Sequence, residues 1–295
     1  MSAMRPPSDP APAEAPAEKH GVARVITDHP VSTFVILAIG LTWLAQLASI
    51  AALGNITPGL LAELLILLGV SIFVTGVAEG RPGLRRRFAG VLRWRVGVGW
   101  WAVALLALPV LTLLIALATG TYHAPDGGWL PLIGNYLFAA IVFGAILGNV
   151  WEELAWTGVV QRRLMERHGL AVGSLLTAIP FALIHLPMAF GGGFAVPLDQ
   201  VLLTWGVLIV VAPFMRYLMG MTYLGTGGSI LVVGLLHASF NASGQLPAFT
   251  GFWQPIAALV ILIIPVFAYR TLRLRRADEG ELATLLPRRV IRPAV

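Results

Sequence analysis

The stretch Gly144–Leu164, GAILGNVWEELAWTGVVQRRL, sets two adjacent glutamates inside a run of residues that otherwise has the composition of an apolar helix. An ionised carboxylate is costly in an apolar medium, so Glu152 and Glu153 need polar or cationic partners. The stretch therefore predicts a buried helix and a polar site that other segments of the chain must complete.

The composition around this stretch is that of a membrane protein. The chain has 295 residues, of which 57% are hydrophobic and 12% charged, and its mean hydropathy is +0.82. Soluble domains carry about 25% charged residues, so we expect a polytopic membrane protein. Cysteine is absent, which excludes disulfides, thiol nucleophiles and cysteine metal ligands.

Apolar runs long enough to cross a bilayer recur along the chain, and irregular backbone cannot face lipid, so we expect an all-α fold. Residues 1–30 are rich in Pro, Ala and charge and are expected to be a disordered tail, followed by a membrane domain at 31–271 and a basic cytoplasmic tail at 272–295. The sequence predicts about eight transmembrane helices, at 31–53, 59–78, 98–119, 131–154, 170–190, 201–222, 228–244 and 254–271.

Arginine distribution predicts the orientation of these spans. The segment after the second span, EGRPGLRRRFAGVLRWRVG, contains six arginines, and the fourth and eighth spans also end in arginine clusters. The loops at the opposite ends of the spans contain no Lys or Arg. This asymmetry predicts that both termini are cytoplasmic. The net charge of +6 is thus accounted for by topology, so the expected partner is the lipid bilayer and not nucleic acid.

Few ionisable residues lie within the predicted spans. Glu63 and Arg216 are close to span ends, where long side chains are expected to reach water. His185 and His237 lie further inside their spans, and Asn241 follows His237 by one helical turn.

Helical spacing indicates that Glu152 faces the bundle interior. Gly144, Gly148 and Glu152 recur every four residues, and such small-residue stripes favour close helix packing in lipid. At 1.5 Å per residue, Glu152, His185 and His237 lie roughly 15, 16 and 12 Å from the cytoplasmic edge. Three spans therefore carry polar residues to a similar depth.

Several chemistries would use these groups. Glutamate and histidine can activate a water molecule for hydrolysis. Glu152, His185 and His237 also match the ligand set of many zinc sites. A proton-coupled transporter would use buried Glu and His as a relay, and a non-catalytic scaffold would use them to join helices. The residue types alone leave these alternatives open.

Three motifs resemble those of one family. EELAWT at Glu152–Thr157, FALIH at Phe181–His185 and HASFN at His237–Asn241 are similar to the EExxxR, FxxxH and HxxxN/B motifs of the CPBP family. These are the CAAX protease and bacteriocin-processing intramembrane proteases, formerly called ABI, which include the type II CAAX prenyl endopeptidases. The resemblance covers about residues 130–245, with the motifs in the same order.

This resemblance implies an intramembrane endopeptidase that cleaves a membrane-associated peptide, including CAAX-type substrates. It implies that Glu152 activates water with His185 as its partner. His237 and Asn241 would stabilise the tetrahedral intermediate. Glu153 would support the site or position the substrate. The family is named as metalloproteases, which implies a divalent metal such as zinc. A metal-free glutamate mechanism, which needs no cofactor, is also argued for it, and both alternatives stay open here. We expect a multi-pass protein of a bacterial plasma membrane.

Thr157 departs from the family pattern, which has arginine at that position. That arginine would lie one helical turn from Glu153 and could pair with it. Without this cation, Glu153 needs another, and Arg216 or the Arg162–Arg163 pair are the candidates. If no cation replaces it, the chain would be an inactive, binding-only relative.

Overall fold

The computed structural model describes residues 20–249 and 253–285, with side chains in the last helix described up to residue 272 except at 269 and 270. Within these ranges the chain forms helices and no β-strand; one isolated antiparallel bridge joins Tyr122 to Phe249. The helices are α1 (Val22–Asp28), α2 (Pro30–Leu53), α3 (Thr57–Val91), α4 (Val98–Ala118), α5 (129–168), α6 (170–184), α7 (Leu198–Gly225), α8 (Ile230–Ser243) and α9 (Trp253–Leu285). A short 3₁₀ turn, Leu186–Phe190, follows α6.

The predicted all-α membrane architecture is confirmed. Among the residues that the structure describes, five helical runs are long and apolar enough to cross a bilayer, and two shorter apolar helices lie at Ile230–Ser243 and Trp253–Ala268. The longest run, Trp129–Phe190, contains both α5 and α6. Each of the eight predicted spans therefore corresponds to a helix, from α2 to α9, and the predicted orientation stays a prediction.

Glycines mark the two sharp breaks inside long helical runs. Gly169 separates α5 from α6 with φ 74° and ψ 172°, and Gly80 interrupts α3 with φ 64° and ψ −163°. Such left-handed values cost little for glycine, which has no Cβ. The chain can therefore reverse direction at 169 without a long loop. The break at Gly80 sets apart the arginine-rich last third of α3, residues 81–91.

The middle helix contains wide turns that change its register. Residues 138–149 and 156–161 of α5 have π-type i→i+5 hydrogen bonding, while Val150–Ala155 between them is a regular α-helix. Buried positions in the first wide segment are Ala140, Ala145 and Asn149. The predicted four-residue stripe is therefore only partly correct: Gly144 packs against Ala238, whereas no other helix lies within 4 Å of the Cβ position of Gly148.

The segment that carries the two glutamates is enclosed by protein. All residues from 152 to 161 are buried, as expected for a helix surrounded by other helices. Leu154 belongs to an apolar cluster with α8, and Ala155 and Trp156 belong to another with α2, α3 and α6. Because adjacent residues enter different clusters, α5 is the central helix of the bundle.

The predicted N-terminal tail is wrong in part. Residues 1–19 lie outside the described residues, but Val22–Asp28 form α1, and Ile26 packs in the apolar cluster of α2 and α3. Burial of this one apolar side chain contributes to holding the short helix on the bundle, which composition alone did not indicate. At the other end α9 continues to Leu285, and residues 286–295 of the predicted basic tail lie outside the description.

The contact between α5 and α8 depends on a missing side chain. A Cβ on Gly234 would lie 2.7 Å from both Cα and Cγ2 of Val150. We expect Gly234→Ala to push the two helices apart and destabilise the protein by roughly 1–3 kcal/mol, the usual cost of overpacking. Thermal unfolding in detergent measures this. Gly206→Ala on α7 is the matched control, because its Cβ would meet nothing within 4 Å; equal stability losses in both variants would contradict the close contact.

Candidate functional site

The three predicted polar segments meet at one cavity. Glu152 of α5, His185 at the end of α6, and His237 and Asn241 of α8 all line a cavity of about 540 Å³. The remaining walls are largely apolar and come from α7, α8 and the start of α9. Glu153, the fifth predicted residue, is fully buried behind this surface. The structure therefore brings together the residues that the sequence placed at similar depth.

Glu152 has one occupied and one free carboxylate oxygen. Its Oε2 accepts a hydrogen bond of 3.0 Å from Asn149 Nδ2. Its Oε1 is buried and has no hydrogen-bond partner among the described residues. The closest charged or polar neighbour recorded for Oε1 is His185 Nε2, at 3.8 Å, which is too long for a direct hydrogen bond. An unpaired buried oxygen is costly unless it serves a ligand or a reaction.

The ring of His185 is oriented by the backbone. Its Nδ1 lies 2.6 Å from the carbonyl oxygen of Phe181, one turn earlier in α6. Because a carbonyl oxygen only accepts, Nδ1 is the protonated nitrogen. Nε2 of the neutral ring is then an acceptor that faces Glu152 Oε1.

Arg216 supplies the cation that Thr157 cannot. Its Nη1 donates to Glu153 Oε1 at 2.9 Å, and its Nη2 donates to Thr157 Oγ1 at 2.7 Å. Thr157 in turn donates to Glu153 Oε2. Arg216 also donates through Nε to Gln161 Oε1 at 2.9 Å. An arginine from α7 thus takes the place of the arginine in the EExxxR motif, with Thr157 as a bridge.

The expectation that Arg216 reaches water is wrong, since its exposed fraction is 0%. Its guanidinium carbon lies 5.0 Å from the centre of the Phe181 ring, a cation–π distance. The sequence places Arg216 near the cytoplasmic end of α7, but it could not show that α5 crosses this level. For Arg216, the ion pair with the buried carboxylate of Glu153 on α5 is therefore more favourable than contact with solvent.

His237 is held by the second glutamate. Its Nδ1 donates to Glu153 Oε1 at 2.9 Å and lies 3.8 Å from Glu152 Oε2. Glu153 therefore accepts from His237, Thr157 and Arg216, and all three donors come from different directions. This saturation makes Glu153 a structural anchor for the ring of His237.

Phe181 packs at the centre of the site. Its ring centroid is 4.7 Å from that of His185 and 5.9 Å from that of His237, and a third contact, with Trp156, is edge-to-face at 5.6 Å. The aromatic ring packs against both imidazoles and against the guanidinium of Arg216. The role of the apolar residue in FALIH is therefore to fix side-chain orientation.

Two amide side chains of the site, those of Asn149 and Gln161, are not among the residues predicted from the sequence. Asn149 donates to Glu152 and accepts a weak 3.4 Å hydrogen bond from Asn241 Nδ2, and Gln161 joins Arg216 to Ser174 of α6. Asn149 lies three residues before Glu152, and Gln161 continues the four-residue spacing of Glu153 and Thr157. Neighbouring positions on one helical face were the signal that would have found them.

Glu63 also differs from expectation. It was expected to reach water, but only 5% of it is exposed and its Oε2 accepts from Gln46 Nε2 at 2.8 Å. The cause is the close contact of α2 and α3, in which a Cβ on Gly59 would lie 2.6 Å from Cα of Gln46. This tight packing closes the route from Glu63 to the bilayer surface.

The predicted metal ligands do not converge. His185 and His237 approach opposite oxygens of Glu152, each at 3.8 Å, and Nδ1 of His237 is engaged by Glu153. A zinc ligand must offer a free lone pair to the metal, whereas Nδ1 of His237 carries the proton that it donates to Glu153. In the part of the chain that the structure describes, no three His, Asp or Glu side chains form a group that could hold a metal ion. Glu152, His185 and His237 as arranged do not fit a metal, and we derive no step through one.

We expect removal of the buried cation to be severe. Arg216→Met leaves the buried carboxylate of Glu153 without its counter-ion, at a cost of about 3–5 kcal/mol in stability. Thr157→Arg in the Arg216→Met background should recover part of this, because it returns a cation to the position one turn from Glu153. Thr157→Arg alone should destabilise by crowding two guanidinium groups. Unfolding midpoints of the four proteins form a double-mutant cycle that measures the coupling.

Arg24→Met is the control for this cycle, since Arg24 forms an exposed pair with Asp28 and such pairs contribute little. If Arg216→Met were no more destabilising than Arg24→Met, the anchoring role of the pair would be wrong.

Comparison with known proteins agrees with the three motifs. Residues 133–243 match the family model described as type II CAAX prenyl endopeptidase Rce1-like. No curated protein gives a match to the chain. The matched segment contains the helix of Glu152, the helix of His185 and the helix of His237, so the family match and the polar cavity coincide. Residues 133–243 are thus similar to the Rce1-like type II CAAX prenyl endopeptidases, and this match supports an assignment to the CPBP family of CAAX-type intramembrane proteases.

Proposed function

We propose that the chain hydrolyses a peptide bond in a membrane-associated substrate, with a water molecule activated by Glu152 and His185. The observation that carries this proposal is the free Oε1 of Glu152 facing His185 Nε2 at 3.8 Å in a cavity. Two acceptors at this separation suit the two hydrogens of one water, whose oxygen lone pairs then remain free for attack.

The proton path follows from this arrangement. As the water oxygen bonds to the scissile carbonyl carbon, Glu152 takes a proton from the water. The resulting tetrahedral intermediate collapses by breaking its carbon–nitrogen bond. Protonated Glu152 then returns the proton to the leaving nitrogen, so that one water is consumed per bond and the enzyme is restored. His185 orients the water throughout, because its own Nδ1 is fixed on Phe181.

Asn241 and His237 are positioned to meet the developing oxyanion, Asn241 as an amide donor and His237 through Nε2 once its ring carries a proton on both nitrogens. Both line the cavity beside Glu152. One amide hydrogen of Asn241 is directed to Asn149, which leaves the second hydrogen for substrate. Preorganised donors of this kind supply a large share of the catalysis of acyl transfer. Glu153 acts through His237, whose ring it holds at 2.9 Å, and does not itself reach the cavity.

The cavity favours an apolar, membrane-associated substrate. Its wall on α7 includes Val207, Leu208 and Val211, and Met188 and Ile256 add further apolar surface. A volume of about 540 Å³ is within the range of sites that bind extended small molecules or a short peptide segment. We propose a peptide with a hydrophobic or lipid-modified end, which includes CAAX-type substrates, in a bacterial plasma membrane.

Glu152→Gln and His185→Ala test this mechanism on a quenched peptide substrate in proteoliposomes. We expect each to lower kcat by about 10²–10⁴-fold, the range for loss of general acid–base catalysis, with the unfolding midpoint retained. Asp199→Asn is the matched control, as it alters an exposed acid at the start of α7 outside the cavity. Full activity of both site variants would refute the assignment. Proton-driven flux that Glu152→Gln abolishes, without peptide product, would indicate a transporter instead.

Metal dependence is tested separately. The donor geometry places no three ligands around one point, so we expect protein treated with excess EDTA and desalted to retain its activity. Metal content by mass spectrometry, measured on the same sample, is the accompanying readout. Loss of activity with chelation and its recovery with one equivalent of zinc would contradict the water-activation mechanism described above.

A further inference from the structure

A second polar cavity lies away from the site, at the arginine-rich end of the bundle. It has a volume of about 130 Å³ and is lined by the α3 segment beyond Gly80, by α5 and by the α7–α8 connection. A single water molecule needs about 10–15 Å³ of such space. This cavity is several times larger and therefore accommodates a polyatomic ligand. None of the residues of the CPBP motifs lines it.

Cations outnumber acids around this cavity. Glu79 contacts four guanidinium groups, those of Arg86 at 3.1 Å, Arg87 at 2.8 Å, Arg162 at 3.1 Å, and Arg163. Glu166 adds a second carboxylate, at 2.7 Å from Arg162. Four guanidinium groups thus share two carboxylates, and the excess positive charge favours an anion.

Arg87 provides unused donors inside this cavity. Its side chain is only 6% exposed, and Nη2 donates to Glu79. Its Nε and Nη1 are buried and have no hydrogen-bond partner in the described part of the chain. Unpaired buried donors of a charged group are costly, and a guanidinium presents them in a planar fork that matches the oxygens of a phosphate.

A glycine lies beside these donors. A Cβ on Gly158 would lie 3.6 Å from Arg87 Nη1, and Gly83 and Gly90 line the same space. At Gly158 a methyl group would thus sit against the guanidinium without a clash. Alanine at position 158 would therefore cover Nη1 of Arg87 without changing any charge.

We propose that this cavity is a phosphate-binding site, in which Arg87 Nε and Nη1 bind the oxygens of a phosphate group. The group comes from an anionic lipid headgroup at the membrane surface or from a free phosphate. Basic pockets between helices at this level are typical sites for anionic headgroups. The ligand would join α3, α5 and the α7–α8 connection and stabilise the folded bundle.

Purified protein in a neutral detergent tests the site with two probes at matched ionic strength. One is dioctanoyl phosphatidylglycerol and the other is inorganic phosphate, and the readout is the unfolding midpoint as a function of probe concentration. We expect saturable stabilisation by at least one probe. Arg87→Gln should raise its Kd about tenfold or more, as expected for loss of a charge-assisted hydrogen bond. Gly158→Ala should also weaken binding, because the added methyl covers Nη1.

Arg85→Gln is the matched control, since it removes the same charge two residues earlier from an exposed position outside the cavity. Retained binding in Arg85→Gln with losses in the two site variants supports the proposal, and the probe with the lower Kd identifies the source. No saturable binding to the unmodified protein, or equal losses in Arg85→Gln and Arg87→Gln, overturns it. If Arg87→Gln does not fold, unchanged binding in Gly158→Ala overturns it.

Discussion

The Glu153–Arg216 ion pair is the interaction on which the site depends. Both side chains are fully buried, and each would be prohibitively costly without the other. The pair joins α5 to α7, and Glu153 joins the same point to α8 through His237. Gln161 extends it to α6 through Ser174. Four helices are therefore held in one mutual arrangement by a network centred on one carboxylate, and the geometry around Glu152 is a consequence of that arrangement.

The two adjacent glutamates have opposite environments because the helix turns about 100° between them. Glu153 points into the network and has its oxygens occupied by three donors. Glu152 points into the cavity and keeps Oε1 without a partner. One carboxylate supplies rigidity and the other retains the free oxygen that a reaction needs. Phe181, whose ring contacts both imidazoles, packs where these environments meet.

Much of this arrangement could be predicted from the sequence, since the helices follow from long apolar runs and the site from polar residues at equal depth. Which partner each of those residues takes could not be predicted, since Arg216 and the Arg162–Arg163 pair were both candidates for Glu153. Arg216 lies near a helix end, and only the crossing of α5 beside it reveals that a carboxylate is closer than water. The burial of Glu63 could not be predicted for the same reason. Gly59 lets α2 pack closely against α3, which encloses the Glu63 side chain. The wide turns of α5 shifted the buried face from Gly148 to Asn149, and regular helical spacing cannot anticipate such turns.

The replacement of the EExxxR arginine by Thr157 also changes how the protein assembles. In the EExxxR arrangement the acid and its cation lie on one helix, so that helix enters the bilayer with its charge already balanced. Here the cation is 63 residues further along the chain. Helix α5 therefore carries an uncompensated acid until α7 has been synthesised and has docked. Completion of the site is thus tied to the order of membrane insertion, and a chain that ends before α7 would hold Glu153 without its counter-ion.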